Sequence, residues 1–328
     1  MAFLFICLFG LLFYFVYTTI SQFWKSSNEN RGMNLVTNTN EISNYKWKVI
    51  ASPTTKSLNS ICFINDSVGY SCGDQGIVIK TNDRGNSWII LNDSSSINLY
   101  DIKFLSTETG FIVGEKGTIL KTNNGGQSWQ KIDADTSNTF FKIYLFKNTS
   151  IGFIVGSNGT ILKSIDEGNS WFNESSPTNE ILFGISFSDS NNGVIVGWDG
   201  TILKSTNQGQ TWNKENKITD KYLRDIYFAD DKTGIIVGGS GEILRTENGG
   251  NDWEKINSNS YSGLYSVIFI NDKQGFVLGN KGEILVSSNG GKNWQSSSSG
   301  SYASLISISE SSAGKIFIVS NNGSIIPN

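Results

Sequence analysis

The sequence offers carboxylates, but no histidine, for acid–base chemistry. Its 328 residues include 29 Asp and Glu, 26 Lys and Arg, and no His. Without imidazole, Ser–His–Asp and Cys–His nucleophile systems and histidine-ligated metals are excluded, and we expect no metal and no cofactor. The net charge of −3 argues against a nucleic-acid partner. Catalysis by carboxylates, alone or with Tyr or Lys, is the chemistry that remains.

Asp101 and Asp225 are the candidate carboxylate pair. A glycosidase needs two carboxyl groups about 5–10 Å apart across a cleft. The two residues occupy equivalent positions of an internal repeat, three repeats apart. In a ring of such repeats, a wide central channel would hold them too far apart for one glycosidic bond. We therefore expect no enzymatic activity, with a glycosidase or carbohydrate-binding protein as the alternative.

Two independent series of residues share one period along the chain. Gly residues recur every 41 or 42 positions from Gly76 to Gly323, and Trp residues do the same. The repeat tryptophans, which we expect to be structural, are Trp47, Trp88, Trp129, Trp171, Trp212, Trp253 and Trp294. Each interval holds four short β-branched and aromatic runs between Gly, Asn, Asp and Ser clusters, which is typical of a propeller blade. The sequence predicts an all-β fold, a seven-bladed β-propeller of four-stranded blades over residues 45–328.

The two ends of the repeat region complement each other. The last hairpin, up to Asn328, has no Trp strand after it, and the first Trp strand, Tyr45–Ile50, has no hairpin before it. The pattern predicts that Tyr45–Ile50 completes the last blade and closes the ring, which would remove the exposed sheet edges.

A turn of eight residues ends at each of the last six repeat tryptophans. Its pattern is Ser/Thr–x–Asp/Asn–x–Gly–x–polar–Trp, as in TNDRGNSW (81–88) and TNNGGQSW (122–129). The central residues are Asp83, Asn124, Asp166, Asn207, Asn248 and Asn289. Asp or Asn can accept backbone N–H bonds there, and Gly can supply a positive φ. Because four of the six are amides, we expect a structural turn and not a catalytic or calcium-binding carboxylate.

This turn resembles the Asp box, or BNR repeat, of sialidases, other glycosidases and many non-enzymes. The longer unit GFIVGEKGTILKTNNGGQSW (110–129) is similar to that of the photosystem II stability/assembly factor family. The resemblance covers about residues 45–328 and implies a seven-bladed propeller that acts as a non-enzymatic chaperone or scaffold for a membrane-protein partner. The Arg-rich surface patch of the photosynthetic members has no counterpart here, since the chain has four Arg in all.

A rim around the central channel is the candidate partner-binding site. Two neighbouring positions of the first strand vary between repeats, whereas the next is always Ile or Val. The candidate residues are Tyr100, Asp101, Phe141, Lys142, Phe183, Trp198, Arg224, Asp225 and Tyr265. Aromatic and Arg side chains are frequent at protein interfaces, but the same aromatics could pack between blades. Trp198 is open to both interpretations. We expect a protein partner, with a glycan as the alternative, and a monomeric chain.

The N-terminal region is distinct from the repeats. Residues 2–20 are uncharged and rich in Phe and Leu, which favours a signal anchor or transmembrane helix over residues 1–20. Trp24 and Lys25 follow at the depth of the membrane interface, and residues 21–44 form a polar linker. We expect the propeller to lie outside the cytoplasm, in a periplasm, a lumen or at the cell surface, whether membrane-anchored or secreted.

Cys62 and Cys72 lie on neighbouring strands of the first repeat. In an exported protein they could form a disulfide, and two buried thiols are the alternative.

Overall fold

The described part of the chain is a ring of seven antiparallel sheets. The computed structural model describes residues 45–92 and 96–328. Six sheets have four strands and the seventh has three, and within every sheet the strands follow one another in chain order. The predicted seven-bladed propeller is confirmed. The anchor and linker predicted for residues 1–44 lie outside the described residues. No helix in residues 45–92 or 96–328 is long and apolar enough to cross a membrane.

The blades are numbered here in chain order. Blades 1 to 3 consist of β1 (Leu58–Phe63), β2 (Gly69–Gly73), β3 (Val78–Thr81), β4 (Ile89–Asn92), β5 (Leu99–Phe104), β6 (Gly110–Gly114), β7 (Ile119–Thr122), β8 (Gln130–Ile132), β9 (Phe140–Leu145), β10 (Gly152–Gly156), β11 (Ile161–Ser164) and β12 (Phe172–Asn173). Blades 4 and 5 consist of β13 (Leu182–Phe187), β14 (Gly193–Gly197), β15 (Ile202–Ser205), β16 (Asn213–Lys214), β17 (Leu223–Phe228), β18 (Gly234–Gly238), β19 (Ile243–Thr246) and β20 (Glu254–Lys255). Blades 6 and 7 consist of β21 (Leu264–Phe269), β22 (Gly275–Gly279), β23 (Glu283–Ser287), β24 (Gln295–Ser298), β25 (Leu305–Glu310), β26 (Ile316–Ser320) and β27 (Ile325–Pro327). Single 3-10 turns join the second and third strands at Asp74–Gly76, Trp198–Gly200, Gly239–Gly241 and Asn280–Gly282.

The second strand of each blade is buried along its whole length. In blade 2 this strand is GFIVG, β6, and all five residues are buried. Its glycines are required by close packing: a Cβ on Gly110 would lie 2.5 Å from the Phe104 ring, and one on Gly114 would lie 2.4 Å from the Asn98 carbonyl oxygen. The continuous apolar run therefore identifies a strand covered on both faces by neighbouring blades.

The first strands of the blades line the centre, and each contacts the first strand of the next blade around the whole ring, including β25 with β1. At that junction the Phe63 and Phe317 rings stack with centroids 4.2 Å apart. The Phe63 N–H also donates to the Ser309 hydroxyl at 3.0 Å. Blade 7 therefore packs directly on blade 1.

The last blade has three strands, and the predicted fourth strand, Tyr45–Ile50, is not confirmed as a strand. This segment has one isolated bridge, between Ile50 and Ile325. Its backbone donates two hydrogen bonds to β27, from Lys48 to the Pro327 carbonyl at 3.0 Å and from Ile50 to the Ile325 carbonyl at 2.9 Å. One bridge and two backbone hydrogen bonds are too few to define a regular strand.

Cys62 and Cys72 are free thiols, one half-buried and one buried. The register of β1 and β2 places Cys62 opposite Tyr70 and Cys72 opposite Ser60, so the two cysteines are not opposite each other as the candidate disulfide assumed. Burial raises the pKa of both thiols, which keeps them protonated at neutral pH.

Candidate functional site

The Asp-box turns join the third and fourth strands and are held by their own side chains. In blade 1 the Thr81 hydroxyl and the Ser87 N–H both donate to Asp83 Oδ1, at 2.8 and 2.9 Å. In blade 2 the corresponding hydroxyl and N–H, from Thr122 and Ser128, both donate to Asn124 Oδ1 at 2.9 Å. An amide oxygen and a carboxylate oxygen therefore serve the same turn, as a structural role requires.

Hydrogen bonds within the turn also lower the pKa of the two Asp-box carboxyl groups, Asp83 and Asp166. The Ser87 hydroxyl and N–H, with the Thr81 hydroxyl, lower the pKa of Asp83 to about 2. The Ser170 hydroxyl and N–H and the Ser164 hydroxyl outweigh slight desolvation and lower the pKa of Asp166 to about 2.

These depressed pKa values predict how acid acts on the boxes. A carboxylate with a lowered folded-state pKa stabilises the fold above its unfolded pKa, and this contribution is lost as pH falls through the folded value. We expect the double variant Asp83→Asn and Asp166→Asn to melt at the wild-type temperature at pH 7 and to lose less stability than wild type between about pH 4 and pH 2. Thermal melts across that pH range measure the difference. A large loss of stability at pH 7 would show that the charge, and not the turn geometry, is required.

In five blades, a Lys or Arg side chain on the third strand donates a hydrogen bond to the Asp-box turn of the next blade. The sequence analysis missed this role. Lys121 Nζ donates to the Glu167 carbonyl and to Asn169 Oδ1, both at 2.8 Å, and Arg245 Nε donates to the Gly290 carbonyl at 2.7 Å. The five cations are Lys80, Lys121, Lys163, Lys204 and Arg245. Blade 6, which precedes the blade without an Asp box, has Val286 at this position.

The two candidate carboxylates of the channel are structural. Asp101 and Asp225 are 3% and 5% exposed. Asp101 Oδ2 accepts the Ile143 N–H of the next blade at 3.0 Å, and Asp225 Oδ2 accepts the Val267 N–H at 3.1 Å. Each first strand is the edge of its sheet, so its outward N–H groups lack a strand partner. These carboxylates satisfy some of those donors and join neighbouring blades.

Lys142, which is half-buried, completes a charge cluster with these carboxylates. Its Nζ lies 3.1 Å from Asp225 Oδ1. The pair joins blades 3 and 5 across blade 4, where the equivalent position is Gly184. Burial alone would lower the pKa of Lys142, but the charges of Asp225 and Asp101 outweigh it and raise the pKa. These three rim candidates therefore lie inside the channel and are committed to holding blades together.

The aromatic candidates meet at the end of the channel where the first strands begin. We call this end the arc face, and the opposite end, with the Asp-box turns, the box face. The Phe141 ring lies 5.1 Å from Tyr100 and 5.3 Å from Phe183, measured between centroids. Phe183 lies 6.4 Å from Trp198, and Trp198 stacks on Tyr222 at 5.8 Å with ring planes 9° apart. We call these five residues the aromatic arc.

Trp198 is both packed against neighbouring residues and exposed, so it fits both interpretations that the sequence allowed, packing and binding. It lies on the 3-10 turn between β14 and β15, packs on Phe183 and Tyr222, and is still 49% exposed. The sequence analysis missed Tyr222, which lies directly before the buried Leu223 and two positions before the variable position of Arg224. Its position beside a first strand was the available signal.

Arg224 lies over two rings of the aromatic arc. Its guanidinium carbon is 4.7 Å from the Phe183 centroid and 5.9 Å from the Phe141 centroid. Burial lowers the pKa of Arg224, against the opposing charge of Asp225. Its guanidinium donates no hydrogen bond to residues 45–92 or 96–328, so N–H donors remain for a ligand.

Tyr265 borders the aromatic arc on the side of blade 6. Its hydroxyl donates to Asn280 Oδ1 at 2.8 Å. At the other end, the Tyr100 hydroxyl donates to Glu115 Oε1 at 3.1 Å, and burial with the Glu115 charge raises the pKa of Tyr100 to about 12. Tyr100 is thus neutral at neutral pH, and hydrogen bonds fix the orientation of both hydroxyls.

Comparisons with known proteins agree with this architecture. The family model described as Photosynthesis system II assembly factor YCF48 matches residues 87–175, 125–214 and 171–327. The solved structure "YCF48 bound to D1 peptide" is similar at 23% identity and a TM-score of 0.73, over 87% of this chain and 95% of that one. YCF48 from Cyanidioschyzon merolae is similar at 18% identity and a TM-score of 0.72, over 86% and 98%.

Glycosidase propellers share the fold at greater distance. The GH74 enzyme of Niastella koreensis is 16% identical with a TM-score of 0.68, over 86% of this chain but 53% of that one. No curated protein matches the sequence significantly. These structural likenesses show the fold, whereas the family model covers more than half of the chain. The chain therefore belongs to the family of Photosynthesis system II assembly factor YCF48.

Proposed function

We propose that this chain is a non-catalytic scaffold that binds a segment of another protein at the aromatic arc. The observation that carries the proposal is the contiguous arc with Arg224 lying on it and Trp198 half exposed. Aromatic and Arg side chains supply most of the binding energy in protein interfaces.

The arrangement favours a segment with an apolar or aromatic side chain next to a carboxylate. The rings provide stacking surface, and the guanidinium, held over Phe183, presents its donors in the fork that matches a carboxylate. Because Arg224 is half-buried and lies among rings, the pair would be screened less by solvent than a surface ion pair.

Family membership supports a partner of this kind. A related structure is YCF48 bound to D1 peptide, and by analogy the partner here is a segment of a membrane protein. We propose further that residues 2–20 anchor the chain and that the propeller is monomeric and lies outside the cytoplasm, as the uncharged N-terminal run favours.

The channel carboxylates support a binding role over a catalytic one. Asp101 and Asp225 already accept hydrogen bonds from Ser60, Ile143, Ser266 and Val267. Neither is free to act as a nucleophile or acid without breaking contacts between blades. The fold likeness to GH74 enzymes keeps glycan binding as the second candidate, since exposed Trp also stacks on sugars.

We also propose that Tyr45–Ile50 acts as the outer strand of blade 7. Besides its two backbone bonds to β27, the segment places Trp47 against Phe276 of blade 6, at 6.0 Å and an interplanar angle of 87°. In the same manner Trp212 of blade 4 lies 6.1 Å from Phe153 of blade 3 at 86°. Trp47 thus takes the place of the tryptophan that blade 7 lacks.

Peptide selection tests the binding proposal. The full chain in detergent is used to select from a random-peptide display library, and the affinity of enriched peptides is measured by fluorescence anisotropy. We expect Trp198→Ala and Arg224→Gln each to weaken binding by about tenfold or more, as for the main contacts of an interface. Peptides with a carboxylate should lose more affinity with Arg224→Gln than neutral peptides do.

The control is Ile165→Ser, which removes a side chain that is 63% exposed on the box face and should not change affinity. Failure to enrich any peptide would contradict the proposal. A glycan array run with the same preparation, together with an assay for oligosaccharide hydrolysis, would favour the second candidate if it alone gave a signal.

A further inference from the structure

Two loops on the arc face have an unusual composition. Residues 257–263, NSNSYSG, lead into β21, and residues 299–304, SGSYAS, lead into β25. Neither loop contains a charged residue. Tyr, Ser, Gly and Asn are the residues that antibodies favour in their binding loops, because Tyr gives a large contact at low entropic cost and the others give adaptable hydrogen bonds.

Each loop exposes one tyrosine almost completely. Tyr261 is 96% exposed and Tyr302 is 95% exposed. Both lie three residues before the buried leucine that starts the first strand, so they are equivalent positions on adjacent blades. The other five blades have no aromatic residue there: Thr55, Ser96, Ser137, Asn179 and Asp220. The tyrosines are therefore not required by the blade fold.

The backbone next to each exposed ring is fixed. Gly241 donates its N–H to the Ser262 carbonyl at 2.6 Å, and Gly282 donates to the Ala303 carbonyl at 2.7 Å. The Ser260 hydroxyl donates to Glu283 Oε2 at 2.8 Å. The two rings thus project from loops tied to the 3-10 turns, so ordering the loop would cost little on binding.

Both loops adjoin the aromatic arc. A Cβ on Gly263 would lie 2.7 Å from the Tyr222 hydroxyl oxygen, so the loop of Tyr261 lies against the arc residue Tyr222. Asn280 Oδ1 accepts the Tyr265 hydroxyl and the Ser304 hydroxyl, each at 2.8 Å. The loop of Tyr302 is thereby joined to the same surface.

We propose that Tyr261 and Tyr302 extend the binding surface of the aromatic arc onto blades 6 and 7 and contact an uncharged part of the bound protein segment. This rests on the proposed function. The occupant is a polypeptide, because the two loops carry no cation for a phosphate but offer aromatic rings and many small hydroxyl and amide groups for a peptide backbone. The segment would place its carboxylate at Arg224 and its uncharged residues at the two tyrosines.

The test uses the full chain in detergent and peptides enriched by it from the random-peptide display library. We expect the double variant Tyr261→Ser and Tyr302→Ser to weaken the best peptides by about tenfold or more. The double variant Tyr261→Phe and Tyr302→Phe keeps the rings and should bind within about threefold of wild type. Ile165→Ser is the matched control on the box face, and thermal melts check that every variant folds.

The outcomes distinguish a failure of this inference from a failure of the proposed function on which it rests. If the Tyr-to-Ser double variant binds like wild type while Arg224→Gln binds weakly, the extension is wrong and the aromatic arc alone is the site. If no peptide is enriched, or if only glycans bind, the proposed function fails and the extension with it. A loss of affinity with the Ser variants that the Phe variants do not share supports the extension.

Discussion

Replacing Asp225 by Ala is expected to destabilise the propeller by about 3–5 kcal/mol. This is the range observed when one partner of a buried ion pair is removed and the other remains. The change would remove the partner 3.1 Å from Lys142 Nζ and leave that ammonium in the channel. It would also remove the acceptor of the Val267 N–H and the Ser266 hydroxyl. Urea denaturation of variant and wild type measures the loss.

Asp101→Ala is the matched control, because Asp101 has the equivalent position and accepts the same kinds of hydrogen bond, from Ser60 and Ile143. No cation among the described residues forms an ion pair with it within 4.0 Å. We expect a smaller loss of about 1–3 kcal/mol. Lys142→Met with Asp225→Asn should recover part of the loss from Asp225→Ala, because no unpaired charge remains. Equal losses for Asp225→Ala and Asp101→Ala would show that the ion pair contributes nothing to holding blades 3 and 5 together.

Replacing Trp47 by Ala is expected to cost about 2–4 kcal/mol if the N-terminal segment closes blade 7, somewhat less than a fully buried Trp because Trp47 is only half-buried. Its ring packs against Phe276 and Tyr45. The indole N–H is buried without a hydrogen-bond partner among the described residues. Trp47→Phe should therefore cost much less than Trp47→Ala, since the lost donor had no acceptor.

Trp212→Ala provides the benchmark inside a regular blade, where we expect about 3–5 kcal/mol. Lys46→Ala, at the exposed neighbouring position, should change stability by less than about 0.5 kcal/mol. Thermal or urea melts of the four variants give the comparison. A Trp47→Ala variant as stable as Lys46→Ala would mean that Tyr45–Ile50 does not stabilise blade 7 as its fourth strand.

The repeat period predicted the architecture because each turn needs particular residues. Gly at the Asp box must have a positive φ and, at Gly168, must also leave room for Phe111, whose ring would lie 2.5 Å from a Cβ. The Ile or Val position of the first strand, such as Ile102 or Ile143, had to be core and is buried. Such requirements recur once per blade, so the sequence shows them repeatedly.

The arrangement of the channel could not be predicted in the same way. The pairing of Lys142 with Asp225 joins two blades that are not adjacent, which no repeat pattern reveals. Asp101 and Asp225 were predicted as rim residues because their position varies between repeats, although each accepts the N–H of the equivalent Ile or Val in the next blade. Tyr222 belongs to the aromatic arc because the 3-10 turn Trp198–Gly200 places Trp198 against its ring.

Hydrogen exchange of the full chain, with and without an enriched peptide, tests the central claim most directly. Binding at the aromatic arc predicts slower exchange on the arc face, in residues 219–225 and around Trp198, and in residues 257–263 and 299–304 if the two tyrosines take part. Exchange in the Asp-box turns at residues 81–88 and 122–129 should not change. Slower exchange confined to the Asp-box turns, or no change on the arc face with peptide saturating the chain, would contradict the account.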